Sequence, residues 1–182
     1  PGANERHYAF MLEGLREIEG ALKERGIAFG VFLKPPRQLI PDLAKNATLV
    51  VTDRGYLKVQ RSWRKYIAEN VSCRMTRVES DVVVPVEVAS EKEEYAARTI
   101  RPGIQEKLEE YLTPLDSETP QRDPIKIDRT PLDLHDSDLL SKKLRISRSA
   151  SPTRVFKGGT TEAEKHLDLF IENKLADYGE EA

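Results

Sequence analysis

DVVVPVEVASEKEEYAARTIRPG, residues 81–103, lies where an alternation of strand-like and helix-like segments gives way to a further helix. The turn-forming pair Ser80-Asp81 introduces it, and its valine-rich run, residues 82–88, is a β-like segment broken by Pro85. EKEEY, residues 91–95, is expected as solvated helix. Arg101-Pro102 marks a helix start, because proline is tolerated where its missing N–H would have been unpaired anyway. Residues 98–112 then supply a helix with Ile104, Leu108 and Tyr111 or Leu112 as its inner face.

Upstream, Met11, Leu15, Ile18 and Leu22 recur at helical spacing within residues 5–25, and Gly26 ends that helix. IAFGVFL (27–33) and TLVVT (48–52) are short apolar runs of strand length. Without polar alternation they predict strands covered on both faces, as in a parallel sheet. Residues 38–46 allow one short crossover helix with Pro41 near its start. Residues 56–70 are helical, with Val59, Trp63 and Tyr66 or Ile67 on one side and Lys58, Arg61 and Lys65 on another; 71–78 is the next β-like segment. Strands alternating with helices predict an α/β fold, a doubly wound parallel sheet, over roughly residues 1–113.

Residues 113–151 change character, with Pro114, Pro120, Pro124 and Pro131 among Ser, Asp and Arg. Such a stretch is expected to bury little apolar surface and to run over the outside as an interdomain linker, assigned to residues 114–158. SRSASP (147–152) is locally biased; plain linker is favoured over a phosphorylation site. After Gly158-Gly159, Thr161 and Glu164 have capping-box spacing, so a helix starts there, in a third segment spanning 159–182. Its stripe of Leu167, Phe170, Ile171, Leu175 and Tyr178 must bury against something: another part of a longer protein, the α/β domain, or a second copy.

The 182 residues carry 29 basic and 31 acidic side chains, a net charge of −2, so attraction to a polyanion would have to be local. The lone Cys73 excludes an internal disulfide and any multi-cysteine metal site, and fits a reducing cytoplasm. No run approaches the roughly 20 apolar residues of a membrane span. A soluble, cytoplasmic protein without membrane partners is expected.

His7, His135 and His166 are far apart, and nothing in their surroundings suggests a metal site or general base. Hydrolase, phosphate-loop and zinc-protease motifs do not occur, so no catalytic or metal-binding residue is assigned. Thr52-Asp53-Arg54 follows the carboxyl end of a strand, where doubly wound sheets place ligands. The simpler assignment makes Asp53 a cap for the next helix and leaves Arg54 solvated. Lys58, Arg61, Arg64 and Lys65, interleaved with Trp63 and Tyr66, have the composition of a nucleic-acid face, but an exposed helix packing its apolar side on the sheet is the favoured reading, because the neighbouring helices are acidic and the net charge is not basic.

Residues 81–103, together with NERHYAFMLEGL (4–15), VVTDRGYLKVQRSWR (50–64) and FKGGTTEAEKHLDLFIENKLADYG (156–179), resemble, in that order, the DNA photolyases of the second class. The resemblance implies the antenna-side α/β domain, a linker, and the first helix of the flavin domain of a longer repair enzyme. It implies that the leading strands of the sheet and most of the flavin domain lie outside this chain, leaving the sheet incomplete. In such an enzyme excited, reduced FAD passes an electron to a flipped-out cyclobutane pyrimidine dimer in DNA, the ring splits, and the electron returns. The α/β domain holds or flanks an antenna chromophore such as a deazaflavin and docks on the flavin-binding domain. Tyr178 matches the tyrosine of the family's L-x-x-Y segment near the flavin and is the one cofactor contact implied, only within the full-length protein. This chain alone is expected to bind no cofactor and to be inactive, with self-association through its exposed apolar faces a further expectation. The rival is a free-standing α/β binding or signalling module without photochemistry.

Overall fold

The computed structural model describes residues 3–116, 118–124, 127, 129–136, 139, 146–153 and 155–179. The chain forms two compact units, one of Pro1–Leu33 with Thr119–Ala182 and one of Lys34–Glu118.

In the first unit, α1 (Glu5–Glu24) begins at Asn4, whose side chain accepts from the Arg6 N–H at 3.1 Å, and ends at Gly26, which adopts a φ of +69°. Leu12 of α1 is buried against Leu134 and Leu139, with Leu15, Phe29, Val31 and Leu132 packed around them. Two expectations are corrected here. The run 27–33 forms no strand; its Phe29 and Val31 pack on the Leu12 cluster, and the Val31 carbonyl accepts one backbone bond, from Leu132 N–H at 2.7 Å. The stretch 113–151 does bury apolar surface, since Leu134 and Leu139, each 1% exposed, are the best-buried side chains of the described residues. Proline-rich composition concealed two leucines that fill the groove beside α1.

The last helix, α6 (Thr160–Asn173), starts where capping residues predict, but the box within it does not form. Glu17 of α1 does the capping instead: its carboxylate accepts from the Thr161 N–H at 2.7 Å and the Thr161 hydroxyl at 2.9 Å, while Glu13 accepts from Gly158 N–H at 2.7 Å. Leu167, Ile171, Leu175 and Tyr178 stay exposed, so the stripe is unburied.

The second unit holds α2 (Pro36–Leu43), a 3-10 turn (Ala44–Asn46), β1 (Leu49–Asp53), α3 (Lys58–Asn70), β2 (Arg74–Val78), the single turn α4 (Val86–Ala89) and α5 (Ala97–Tyr111). β1 and β2 pair in parallel, Leu49 opposite Arg74 through Asp53 opposite Val78, joined through α3. The α/β class with a parallel sheet therefore holds, with two strands in the sheet of the described residues. Leu39, Ala44, Ile67 and Val84 are its buried residues. Full burial of a side chain such as Ile67 stabilises by about 1.5–3 kcal/mol.

Several expectations shift in this unit. Leu49 and Val51 are exposed while Val50 and Thr52 are half-buried, so one face of the sheet is covered rather than both. α2 opens at Pro36, which suits the first helical position, and Pro41 falls inside it. Residues 82–88 form no strand: Pro85 cannot donate to a ladder, and its carbonyl instead accepts from the Val88 and Ala89 N–H groups to make α4. Residues 91–95 are not helical, and Pro102 lies inside α5, which starts at Ala97 rather than at Arg101-Pro102. Gly103 is needed for the approach of α5 to α4, since a Cβ there would overlap the Ala89 carbonyl oxygen.

Two stability experiments follow from this packing. Leu134→Ala is expected to cost about 2–5 kcal/mol in urea unfolding, as for other buried leucines, whereas Leu115→Ala, at a site 96% exposed, leaves the transition in place. Glu17→Ala removes the only side-chain acceptor on the Thr161 N–H among the described contacts, and amide exchange in the first turn of α6 should speed by roughly the factor of 5–30 that about 1–2 kcal/mol represents.

Candidate functional site

A concavity opens at the carboxyl end of β1, in the second unit. Thr52, Asp53 and Gly55 supply its strand side, Trp63 and Ile67 of α3 and Ile40 of α2 its apolar side, and Gln60, Arg64 and Asp81 its polar rim. Its volume is about 400 Å³, within the range of small-molecule sites. Gln60 is held by the Leu57 N–H, which donates to its side-chain oxygen at 3.1 Å, and this bond rather than Asp53 caps α3. Asp53 instead accepts from the Ser80 hydroxyl at 2.5 Å, linking the ends of β1 and β2. The cavity thus offers an indole face, aliphatic walls, carboxylate acceptors and the Arg64 guanidinium as a donor, suited to a planar ring bearing both N–H groups and acceptors.

Behind this rim Arg54 is not solvated, contrary to expectation. Its guanidinium hydrogen-bonds Glu87 of α4 and lies 3.5 Å from Glu79 Oε2, just beyond β2, with side-chain exposures of 17% for Arg54 and 7% for Glu79. The Tyr56 hydroxyl donates to Glu79 Oε1, and the Arg54 guanidinium stands 5.6 Å from the Tyr56 ring centroid. The hydrogen bond from Arg54 holds the Glu87 carboxyl below the usual range, and the bond to Glu87 raises Arg54. The bond to Glu79 raises the Tyr56 hydroxyl. Tyr56, Glu79 and Glu87 were not singled out in the sequence, and Ser80 only as part of a turn. Glu79 carries the signal that drew attention to Asp53, an acidic residue at a strand's carboxyl end, but it sits beside a turn.

Other sequence candidates are dispersed. Trp63 faces the cavity, while the Tyr66 ring is covered by the Arg37 guanidinium at 4.2 Å. Arg98 and Arg101 are exposed on α5. Nearby, Glu94 accepts from Ser90, and hydrogen bonds from Thr99 and then Ser90 hold its carboxyl low. In the first unit His7 bonds Asn4 at the start of α1, His135 lies 3.3 Å from Glu19, and His166 is exposed on α6. Among the described residues no group of three His, Cys, Asp or Glu is arranged to hold a metal ion, and no helix is long and apolar enough to cross a membrane. Tyr178 follows α6, 60% exposed, its ring edge-on to Phe170 at 5.5 Å between centroids.

The Arg54 cluster titrates at both ends of the pH scale. A carboxyl depressed on folding contributes stability above its unfolded value and loses it as pH falls through the folded one; a raised tyrosine contributes below its unfolded value and loses it as pH rises through the folded one. Glu87→Gln should therefore destabilise at neutral pH and converge with the parent in acid, while Tyr56→Phe converges with it in alkali. Urea midpoints across pH check both.

Residues 1–122 match the DNA photolyase family. The deoxyribodipyrimidine photo-lyase of Methanothermobacter thermautotrophicus is 38% identical over 175 residues, covering 96% of this chain and 38% of that protein. That of Potorous tridactylus is 30% identical over 182 residues, covering 98% and 34%, and that of Arabidopsis thaliana 33% identical over 128 residues, covering 68% and 25%. The chain spans roughly a third to two fifths of the length of the first two relatives. With the family matched over most of its residues and one relative aligned along nearly all of it, the chain belongs to the DNA photolyase family.

Proposed function

We propose that this chain is the antenna-side part of a light-dependent DNA repair enzyme that splits cyclobutane pyrimidine dimers by electron transfer from reduced flavin. The observation that carries the proposal is the alignment with the Methanothermobacter photo-lyase along 96% of this chain and 38% of that protein. On this reading residues 1–113 are the α/β domain, 114–158 a linker and 159–182 the opening of a flavin domain. FAD, the lesion-bearing DNA and the cytoplasmic setting belong to the longer protein. Tyr178 meets flavin only when further protein covers it, and no electron-transfer step is assigned to the residues described.

The cavity at the end of β1 is the part of this chain suited to an accessory chromophore such as a deazaflavin. Trp63 and Ile67 would hold one face of a planar ring, and Thr52, Asp53 and Gln60 its polar edge. When bound, the chromophore supplies light absorption. The protein's task is positional: Arg54 fixes the strand ends, Ser80 orients Asp53, and the Leu57 N–H orients Gln60.

The purified chain is expected to be colourless and unable to reverse dimers in ultraviolet-irradiated oligothymidylate under blue light. Joined to the remainder of the Methanothermobacter protein, it should restore light-dependent reversal. Flavin absorption or repair by the chain alone, or a folded chimera without repair, would sink the proposal. Trp63→Ala in the chimera should lower repair under limiting light and leave repair by chemically reduced flavin under saturating light unchanged.

A further inference from the structure

A groove between α3 and β2, in the second unit, is lined by Arg61, Arg64, Lys65 and Arg77 over a floor of Ala68 and Met75, with a volume of about 530 Å³. No carboxylate lines it. Lys65 stands 4.0 Å from Glu69 with both side chains largely exposed, a pairing of little strength. Arg61, Arg64 and Arg77 make no ion pair or side-chain hydrogen bond within the described residues. Glu87, whose carboxyl feels the charge of Arg77, is hydrogen-bonded to Arg54. In a chain of net charge −2, four cations thus line one concavity, with Lys65 beside Glu69 and with Arg64 also bordering the cavity at the end of β1.

We propose that this groove binds the phosphodiester backbone of double-stranded nucleic acid, by contacts that read no sequence. Unpaired arginines present planar forks that match phosphate oxygens two at a time. Residues 61, 64 and 65 are spaced by three and four on one helix, so their charges share one face. The aromatic residues that would make a single-strand stacking platform are turned to other uses: Trp63 lines the cavity at the end of β1, and the Tyr66 ring is covered by Arg37. What the groove offers is charge without a base-stacking surface, which is the chemistry of backbone contact.

The test is fluorescence anisotropy of the 182-residue chain with a labelled, undamaged duplex across about 50–200 mM salt. Binding should weaken with salt, with a log–log slope of about −0.9 for each phosphate neutralised. The double substitution Arg61→Ala with Arg77→Ala should flatten that slope by nearly two and weaken binding about tenfold or more at low salt. Lys65→Glu, at a side chain 80% exposed, should weaken it with the far-ultraviolet circular dichroism unchanged. Lys23→Ala with Lys165→Ala, on α1 and α6, should leave affinity as it was. The proposal is overturned if the duplex does not bind at the lowest salt, if the groove substitutions leave the slope unchanged, or if the α1 and α6 substitutions lose as much. It is also overturned if pyrophosphate or polyglutamate binds the groove as tightly as the duplex does. The probe carries no lesion and needs no light, so failure of the repair proposal leaves this outcome interpretable.

Discussion

Arg54 leaves the end of β1 and shares one guanidinium between a carboxylate just past β2 and another on α4. At the same carboxyl end the Ser80 hydroxyl donates to Asp53 and the Arg54 N–H to the Val78 carbonyl, while only one face of the two-stranded sheet is covered. Glu79 is the more demanding partner: its side chain is 7% exposed, and its Oε2 lacks any hydrogen bond, facing Arg54 at 3.5 Å. A buried carboxylate is costly without a cation and a donor beside it, and Arg54 and Tyr56 supply these. The constraint runs both ways. Arg54 is held by two anions, and the loop from Arg54 to Leu57 is thereby pinned where α3 begins. The ligand cavity inherits its shape from that pinning, because Asp53 and Gly55 flank Arg54 in the chain and both line the cavity.

Periodicity reported on this molecule where packing obeys it. α1, α3 and α5 lie close to where their apolar spacing puts them, β1 overlaps the apolar run 48–52 and β2 falls within the β-like segment 71–78. The failures share a cause. IAFGVFL and DVVVPVEV are rich enough in β-formers to be strands, yet a strand exists only when a neighbour accepts its backbone groups. In the first, Phe29 and Val31 bury their side chains on Leu12 without a ladder. In the second, Pro85 withdraws a donor and turns the chain into α4. Local composition cannot reveal which partners the backbone will find, and the same limit hid Leu134 and Leu139 inside a proline-rich stretch.

The site was legible in outline. The rule that ligands gather at the carboxyl ends of parallel strands led to Thr52-Asp53-Arg54, and the cavity is there. The roles of those residues were not legible, because Asp53 and Arg54 have nearby sequence explanations, a cap and a solvated charge, that need no distant partner. Their actual partners are separated from them by a whole helix and a strand: Ser80 for Asp53, Glu79 and Glu87 for Arg54. Trp63 was assigned to the packed side of α3, which is correct in direction, but the surface it meets is a cavity wall.

The last helix shows how an element can be placed without being buried. An isolated helix of 14 residues is marginal in water, and α6 obtains little from its faces, where Leu167, Leu169 and Ile171 remain exposed. One of its unpaired N–H groups is met from α1: Glu17 accepts from the Thr161 amide, while Glu13, one turn earlier, accepts from the Gly158 amide just ahead of the helix. Those negative charges also lie at the positive end of the helix dipole, so capping and electrostatics favour the same start. Gly159, at a φ of +120°, lets the chain turn into that position against Glu17. Because the anchor is polar and confined to one end, the helix is aligned by α1 while its apolar stripe stays available, and contiguous exposed apolar surface of that kind is a mark of contact with other protein.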